Sequence, residues 1–251
     1  MPVLYPKYRH SVSSANLWRE CPSAFLWRYG LQRWGKGNAR TCMGEAAEKA
    51  YANALLHNLT ADEAAEDAKR RFYDLMEGED TEHAEYAAAI AKGFVENTPE
   101  AWGKLVQHSP WRPVNNFLLN KEVSLKPDFI FERALVDTKA TLRVPSEPSP
   151  LHVRQISAYA REWKLPGILF YCGPNKKEGC KAAHFEIGEE DAERACAELL
   201  RDWRQIEAFD RRFASVRDAA LITPLNTDSF YWDEDQIEEA RALWGEACEA
   251  A

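Results

Sequence analysis

One change of hydrophobic period, near residue 110, constrains this chain more than any other feature. Before it, residues 43–57, 61–76 and 82–106 carry Ala, Leu and Glu at helical spacing and predict three helices, with Gly78-Glu79-Asp80 between the last two. After it, residues 117–123, 128–132 and 134–139 predict strands, with Glu132-Arg133 at a tight turn. A proline-rich loop (143–150) leads to a helix over 153–163 that stops before Pro166. The wholly apolar run 167–171 reads as a buried strand, 184–187 as a further strand, and 189–213 and 235–247 as long helices. At the front, residues 11–29 predict a short helix capped by Ser13 or Ser14, a break at Cys21-Pro22 and a second turn, then a loop over 30–38. This order predicts an α/β (α+β layered) fold, a sheet flanked by helices with helical N- and C-terminal additions. A chain of 251 residues is expected to form one domain over 1–251: a helical part (1–110), a sheet core (111–188) and C-terminal helices (189–251).

Charge narrows the partners. The net charge is −8, but residues 1–40 hold seven Lys and Arg against Glu20 alone, while residues 186–251 hold seven against eighteen acids. The field near a groove depends on local charge, so the basic N-terminal block keeps a nucleic-acid partner open. That block interleaves Trp18, Phe25, Trp27, Tyr29 and Trp34 with Arg9, Arg19, Arg28, Arg33 and Lys36. Such a mixture can stack bases and track phosphates, or it can be core aromatics with snorkelling arginines. A mix is expected, with Trp18, Phe25 and Trp27 in the core and Arg9, Arg19, Arg28 and Lys36 near DNA. The acidic stretch 228–249 reads most simply as a solvated amphipathic helix. No run of eighteen apolar residues exists, so no membrane span is expected, and residues 1–10 lack the apolar stretch of a secretory signal. Six cysteines are too few for a disulfide scaffold of this length, so an intracellular, cytoplasmic setting is expected.

Chemistry concentrates in the middle of the chain. In the strand over 134–139, Asp137 and Lys139 are two apart and share a face, and a hairpin can bring Asp128 beside them. Two carboxylates and an ammonium can hold a hard cation and position a water, or they can be an exposed ion pair on a surface hairpin. Glu48 shares a helical stripe with Tyr51, Ala52 and Leu55, where a carboxylate needs a partner; the plainer alternative is an ordinary helix acid like its neighbour Glu45. Gln155 and Tyr159 are four apart on one helix face and can reach a site or a DNA backbone, or can simply pack and be solvated. His152, one turn earlier, reads as a surface histidine.

These residues carry a resemblance. Pro127-Asp128 followed by Asp137-Thr138-Lys139 resembles the signature of the PD-(D/E)XK nuclease superfamily, and Gln155 to Tyr159 resembles the Q-x-x-x-Y element of its RecB-type (RecB/AddB-like and CRISPR adaptation nuclease-like) exonucleases. Ser11-Val12-Ser13, Leu17, Cys21-Pro22 and Phe25 resemble the family's N-terminal segment. Gly44 to Glu48 resembles its G-x-x-x-H helix motif, with Glu48 where the family has a metal-binding histidine. Ala140 also stands where the family often has Ser or Thr. The resemblance spans residues 11–172 and implies a restriction-endonuclease-like core with a mixed central sheet. It implies a metal-dependent deoxyribonuclease acting on DNA ends or single strands, in recombination, repair or phage DNA metabolism. Its implied catalytic set is Glu48, Asp128, Asp137, Lys139, Gln155 and Tyr159. Glu48, Asp128, Asp137 and the Thr138 carbonyl would ligate Mg²⁺ or Mn²⁺, with Arg154 joining the N-terminal cations on DNA. The same site in a structure-specific endonuclease, or in a catalytically silent binding module, are the alternatives; a protein partner or a homo-oligomer is compatible with all three. Some relatives hold an iron–sulfur cluster on one early and three late cysteines. Cys21 sits in the early place, but Cys172, Cys180 and Cys196 are spaced too widely, so no cluster is expected.

Overall fold

A computed structural model describes residues 10–35, 37–77, 80–110, 112–116, 121–175, 179–213, 215–229 and 231–249. By internal contacts the chain divides into two compact units. One comprises Met1–Lys36, Arg112–Leu125 and Arg194–Ala251, and the other Gly37–Trp111 and Lys126–Glu193.

The first unit contains β1 (His10–Ser11), α1 (Val12–Glu20), α2 (Pro22–Phe25) and a π-helical turn over Leu26–Gly30. Ser11, not Ser13 or Ser14, caps α1: its hydroxyl accepts the Ser14 amide at 3.0 Å, and Ser14 Oγ accepts the Ser11 amide at 3.0 Å. The reciprocal pair satisfies two amides that the helix start leaves open, which neither later serine can do from inside the helix. Strands β3 (Arg112–Asn116) and β4 (Lys121–Leu125) complete a sheet of order β1-β4-β3. Strand β3 had no counterpart in the sequence pattern, and part of the strand expected over 117–123 (117–120) lies outside the described residues. Phe25 and Trp27 are buried and Trp18 packs edge-on to Phe25 at 5.3 Å, as the core reading required, whereas Trp34 is 57% exposed. Most of α7 (Glu189–Arg212), with α8 (Val216–Ala220) and α9 (Glu234–Glu249), belongs here.

The second unit holds α3 (Ala39–His57), α4 (Ala61–Met76) and α5 (Thr81–Glu96), with α6 (Pro150–Trp163) between two strands of a five-stranded sheet. The strands are β2 (Leu105–His108), β5 (Phe129–Phe131), β6 (Leu135–Ala140), β7 (Gly167–Asn175) and β8 (Gly179–Glu186), in the order β2-β5-β6-β7-β8. Only β6 and β7 run parallel, joined by α6, so the sheet is mixed. This is the α+β class, a restriction-endonuclease-like sheet flanked by helices, that the sequence led us to expect. The helix expected to run to residue 106 ends at Glu96, and β2 begins nine residues later. Pro99 and Gly103, the latter at φ +76°, break the helical path between them. Small residues let the helices approach closely: Ala46, Ala47 and Ala50 on α3 and Ala84, Ala87 and Ala91 on α5 are wholly buried. Tyr51, Phe94, Phe129 and Phe170 interlock over the sheet, with the Tyr51 and Phe129 rings 4.9 Å apart.

Cys172 and Cys180 form a disulfide across β7 and β8, so two of the three late cysteines are committed to each other, while Cys196 is free and buried. Gly93 of α5 faces this pair so closely that a methyl group there would overlap both sulfur atoms. Gly93→Ala should therefore lower stability by about 1–3 kcal/mol through overpacking, visible as a lower melting temperature.

Candidate active site

The site grows from β6, the central strand of its sheet. Leu135 and Val136 are fully buried and fix the strand's register against β5 and β7. Alternation then places Asp137 and Lys139 on one face. Asp137 is 0% exposed, and Lys139 Nζ lies 2.5 Å from its Oδ2. This is no exposed hairpin ion pair, because Asp137 is wholly buried and the Lys139 side chain is only 18% exposed. Asp137 Oδ1 has no hydrogen-bond donor, while Oδ2 faces the Lys139 ammonium.

Asp128 enters from the start of β5. Its Oδ2 accepts both the Thr138 amide at 2.8 Å and the Thr138 hydroxyl at 3.0 Å. Thr138 thus joins the site through its amide and hydroxyl, tying the two strands together at the acids. From α6, Gln155 Oε1 accepts from Lys139 Nζ at 3.2 Å, and Gln155 Nε2 donates to the Tyr159 hydroxyl at 3.3 Å. The four-residue spacing seen in the sequence therefore forms one chain, Tyr159–Gln155–Lys139–Asp137. From α3, Glu48 is half-buried, and its negative charge reaches both aspartates. Glu45 behaves differently: it is exposed and pairs with Lys49 at 2.5 Å.

Electrostatics follow from this crowding. Burial, then the charges of Asp137 and Glu48, push the Asp128 carboxyl well above the usual carboxylate range, against the pull of Lys139 and the Thr138 amide. Burial also raises Asp137, with Lys139 opposing. For Lys139, burial favours the neutral amine, but the charges of Asp137 and Asp128 outweigh it and the pKa rises. The ammonium therefore stays charged.

Two histidines depart from the sequence expectation. His152 is not a plain surface residue. The Tyr171 hydroxyl accepts the Ser149 amide at 3.2 Å and shares a hydrogen bond with His152 Nδ1, 2.6 Å away. Burial and the nearby Lys139 charge lower the His152 pKa to about 3, so the ring is neutral. His108, on β2, puts Nε2 at 3.6 Å from Glu48 Oε1. The sequence pattern assigned that region to the tail of a helix or left it blank, and a histidine in an unassigned segment gives no pairing signal.

The other expected residues are not gathered here. Arg154 is on α6 but only 2% exposed. Arg19 pairs with Glu198 at 2.7 Å, and Arg28 donates to the Tyr231 carbonyl, both within the first unit. Arg9 and Lys36 lie outside the described residues.

The donors fit a divalent cation in kind. The charge of Glu48 acts on both Asp128 and Asp137, and the buried Oδ1 of Asp137 lacks a donor. They do not form a closed cage: among the described residues, no three His, Cys, Asp or Glu side chains are set to surround an ion. Mg²⁺ needs no such cage, because it keeps several waters and takes one or two carboxylates.

No family model matches this sequence, and no curated protein matches it. Solved structures do. A protein from Eubacterium rectale named "Putative exonuclease" shares the fold at a TM-score of 0.60 and 14% identity, over 81% of this chain and 82% of its own. A second solved protein, SSO0001, aligns over 78% of this chain and 92% of its own at 13% identity, but its TM-score of 0.37 is too low to carry an argument.

An acid whose pKa rises on folding binds its proton more tightly in the folded state, so it supports the fold at low pH and weakens it as pH rises through the folded value. Asp128→Asn removes that penalty. Without added metal, the variant should melt above wild type at mildly alkaline pH by roughly 2–4 °C, about 1 kcal/mol in a chain of this size. The gap should close as pH falls toward the ordinary carboxylate range.

Proposed function

We propose that this chain is a divalent-cation-dependent deoxyribonuclease that hydrolyses phosphodiester bonds at DNA ends or in single strands. The observation that carries the reading is the buried convergence of Asp128, Asp137, Lys139 and Gln155, with Glu48 adding charge from α3. An ammonium kept charged beside two carboxylates is expensive to bury, and phosphoryl transfer is a reaction that uses such a set. The name borne by the fold-sharing bacterial protein supports the exonuclease form of the proposal.

The division of labour follows from the contacts. Asp128 and Asp137, with Glu48, would hold Mg²⁺ or Mn²⁺. Such a cation supplies charge stabilisation to the phosphoryl group and makes water more acidic. Lys139 presents an ammonium to a non-bridging phosphate oxygen and can hold a water by hydrogen bond. Gln155 fixes Nζ through its carbonyl oxygen, and Tyr159 fixes Gln155 through the amide. Thr138 fixes Asp128. No helix among the described residues is long and apolar enough to cross a membrane.

The test is digestion of end-labelled linear DNA, beside a covalently closed circle, with Mg²⁺ or Mn²⁺. Lys139→Ala should cut roughly 10²–10⁴-fold more slowly while shifting DNA on a gel with nearly unchanged affinity. Asp128→Ala or a chelator should abolish cleavage. Cutting of the circle would point to the endonuclease form, and undiminished cleavage by Lys139→Ala would reject the assignment.

A further inference from the structure

His108 occupies a position that packing alone does not explain. It ends β2, the edge strand, in register with Phe129 of β5, and so projects from the same face of the sheet. The His108 and Phe129 rings lie 5.0 Å apart at 33°. The next residue is pinned as well: the Ser109 amide donates to the Asp128 carbonyl at 2.6 Å. Phe129 in turn packs on Tyr51, one helical turn beyond Glu48 on α3. Sheet edge and helix therefore hold His108 and Glu48 against each other from two rigid elements.

The contact between them is specific in length. His108 Nε2 is shielded from solvent, has no hydrogen-bond partner, and stands 3.6 Å from Glu48 Oε1. That is beyond the roughly 2.7–3.2 Å of a hydrogen bond. It is within the span, up to about 4 Å, of two donors that each sit roughly 2.0–2.2 Å from one cation. A buried ring nitrogen without a partner is costly, and a carboxylate beside it that does not close the hydrogen bond leaves a point between them that a cation can share.

We propose that His108 is a nitrogen donor to the divalent cation of this site, sharing it with Glu48 and biasing the site toward Mn²⁺-class ions over Mg²⁺. The inference rests on the cation-dependent reading above and adds a ligand to it. Its chemistry is ordinary: imidazole suits transition ions, whereas Mg²⁺ takes oxygen almost exclusively. With His108 included, the donors come from the sheet edge, the sheet centre and α3.

The decisive measurement is pulsed electron paramagnetic resonance of Mn²⁺ bound to the full chain. Wild type should show ¹⁴N coupling from a directly bound imidazole. His108→Ala and His108→Gln should lose that coupling, bind Mn²⁺ at least about 10-fold more weakly by titration calorimetry, and show a smaller Mn²⁺-over-Mg²⁺ preference. Bound Mn²⁺ with no ¹⁴N coupling in wild type, or coupling that survives in both variants, overturns the ligand assignment and leaves the nuclease reading standing. Absence of Mn²⁺ binding to wild type would overturn both. The wild-type spectrum decides the matter even if a variant fails to fold.

Discussion

The ion pair between Asp137 and Lys139, buried on the central strand, governs the second unit. Two charges taken out of water lose several kcal/mol each in hydration, and their attraction offsets this only when geometry and neighbours are right. The neighbours are supplied by strand position. Leu135 and Val136 lock β6 between β5 and β7, so the next residues cannot turn outward to water without breaking the register. Gln155 then satisfies the lysine from α6, and Thr138 satisfies Asp128 from within the same strand. Remove β6 from the sheet centre and none of these contacts has a scaffold.

That pair does not balance the site. Three carboxylates face one ammonium, and the excess negative charge appears as raised acid pKa values at Asp128 and Asp137. A purely structural cluster would gain from replacing one acid with an amide or an apolar residue. Keeping all three is the pattern expected where local stability is given up to hold charge ready for a ligand.

Much of this was legible in the sequence because strand and helix periods are strict. A spacing of two on a strand put Asp137 and Lys139 together, and a spacing of four on a helix put Gln155 and Tyr159 together. The misses share another cause. Beyond the polar stretch 96–100, Ala101, Trp102, Leu105 and Val106 continue the apolar spacing of α5, so the pattern extended the helix and hid the edge strand that carries His108. Pro99 and Gly103 were the available signal, since one disfavours helix before it and the other adopts a positive φ. In the N-terminal block, charge counts say nothing of pairing. Arg19 and Arg28 pair with Glu198 and the Tyr231 carbonyl, residues far along the chain that no local pattern can match to them.

The same crowding fixes how protons and cations compete. With burial and two like charges acting on it, Asp128 holds a proton far more readily than a solvated acid does. A cation that takes this carboxylate must displace that proton, so part of its binding free energy goes to deprotonation and its affinity depends on pH. Lys139 opposes this competition without cancelling it, because burial and the two like charges outweigh its pull on Asp128. His152, held neutral by burial and by Lys139, adds no charge of its own. In the proposed reading a cation answers the excess of negative charge, and Asp137 Oδ1, which lacks a donor, marks where it would be received.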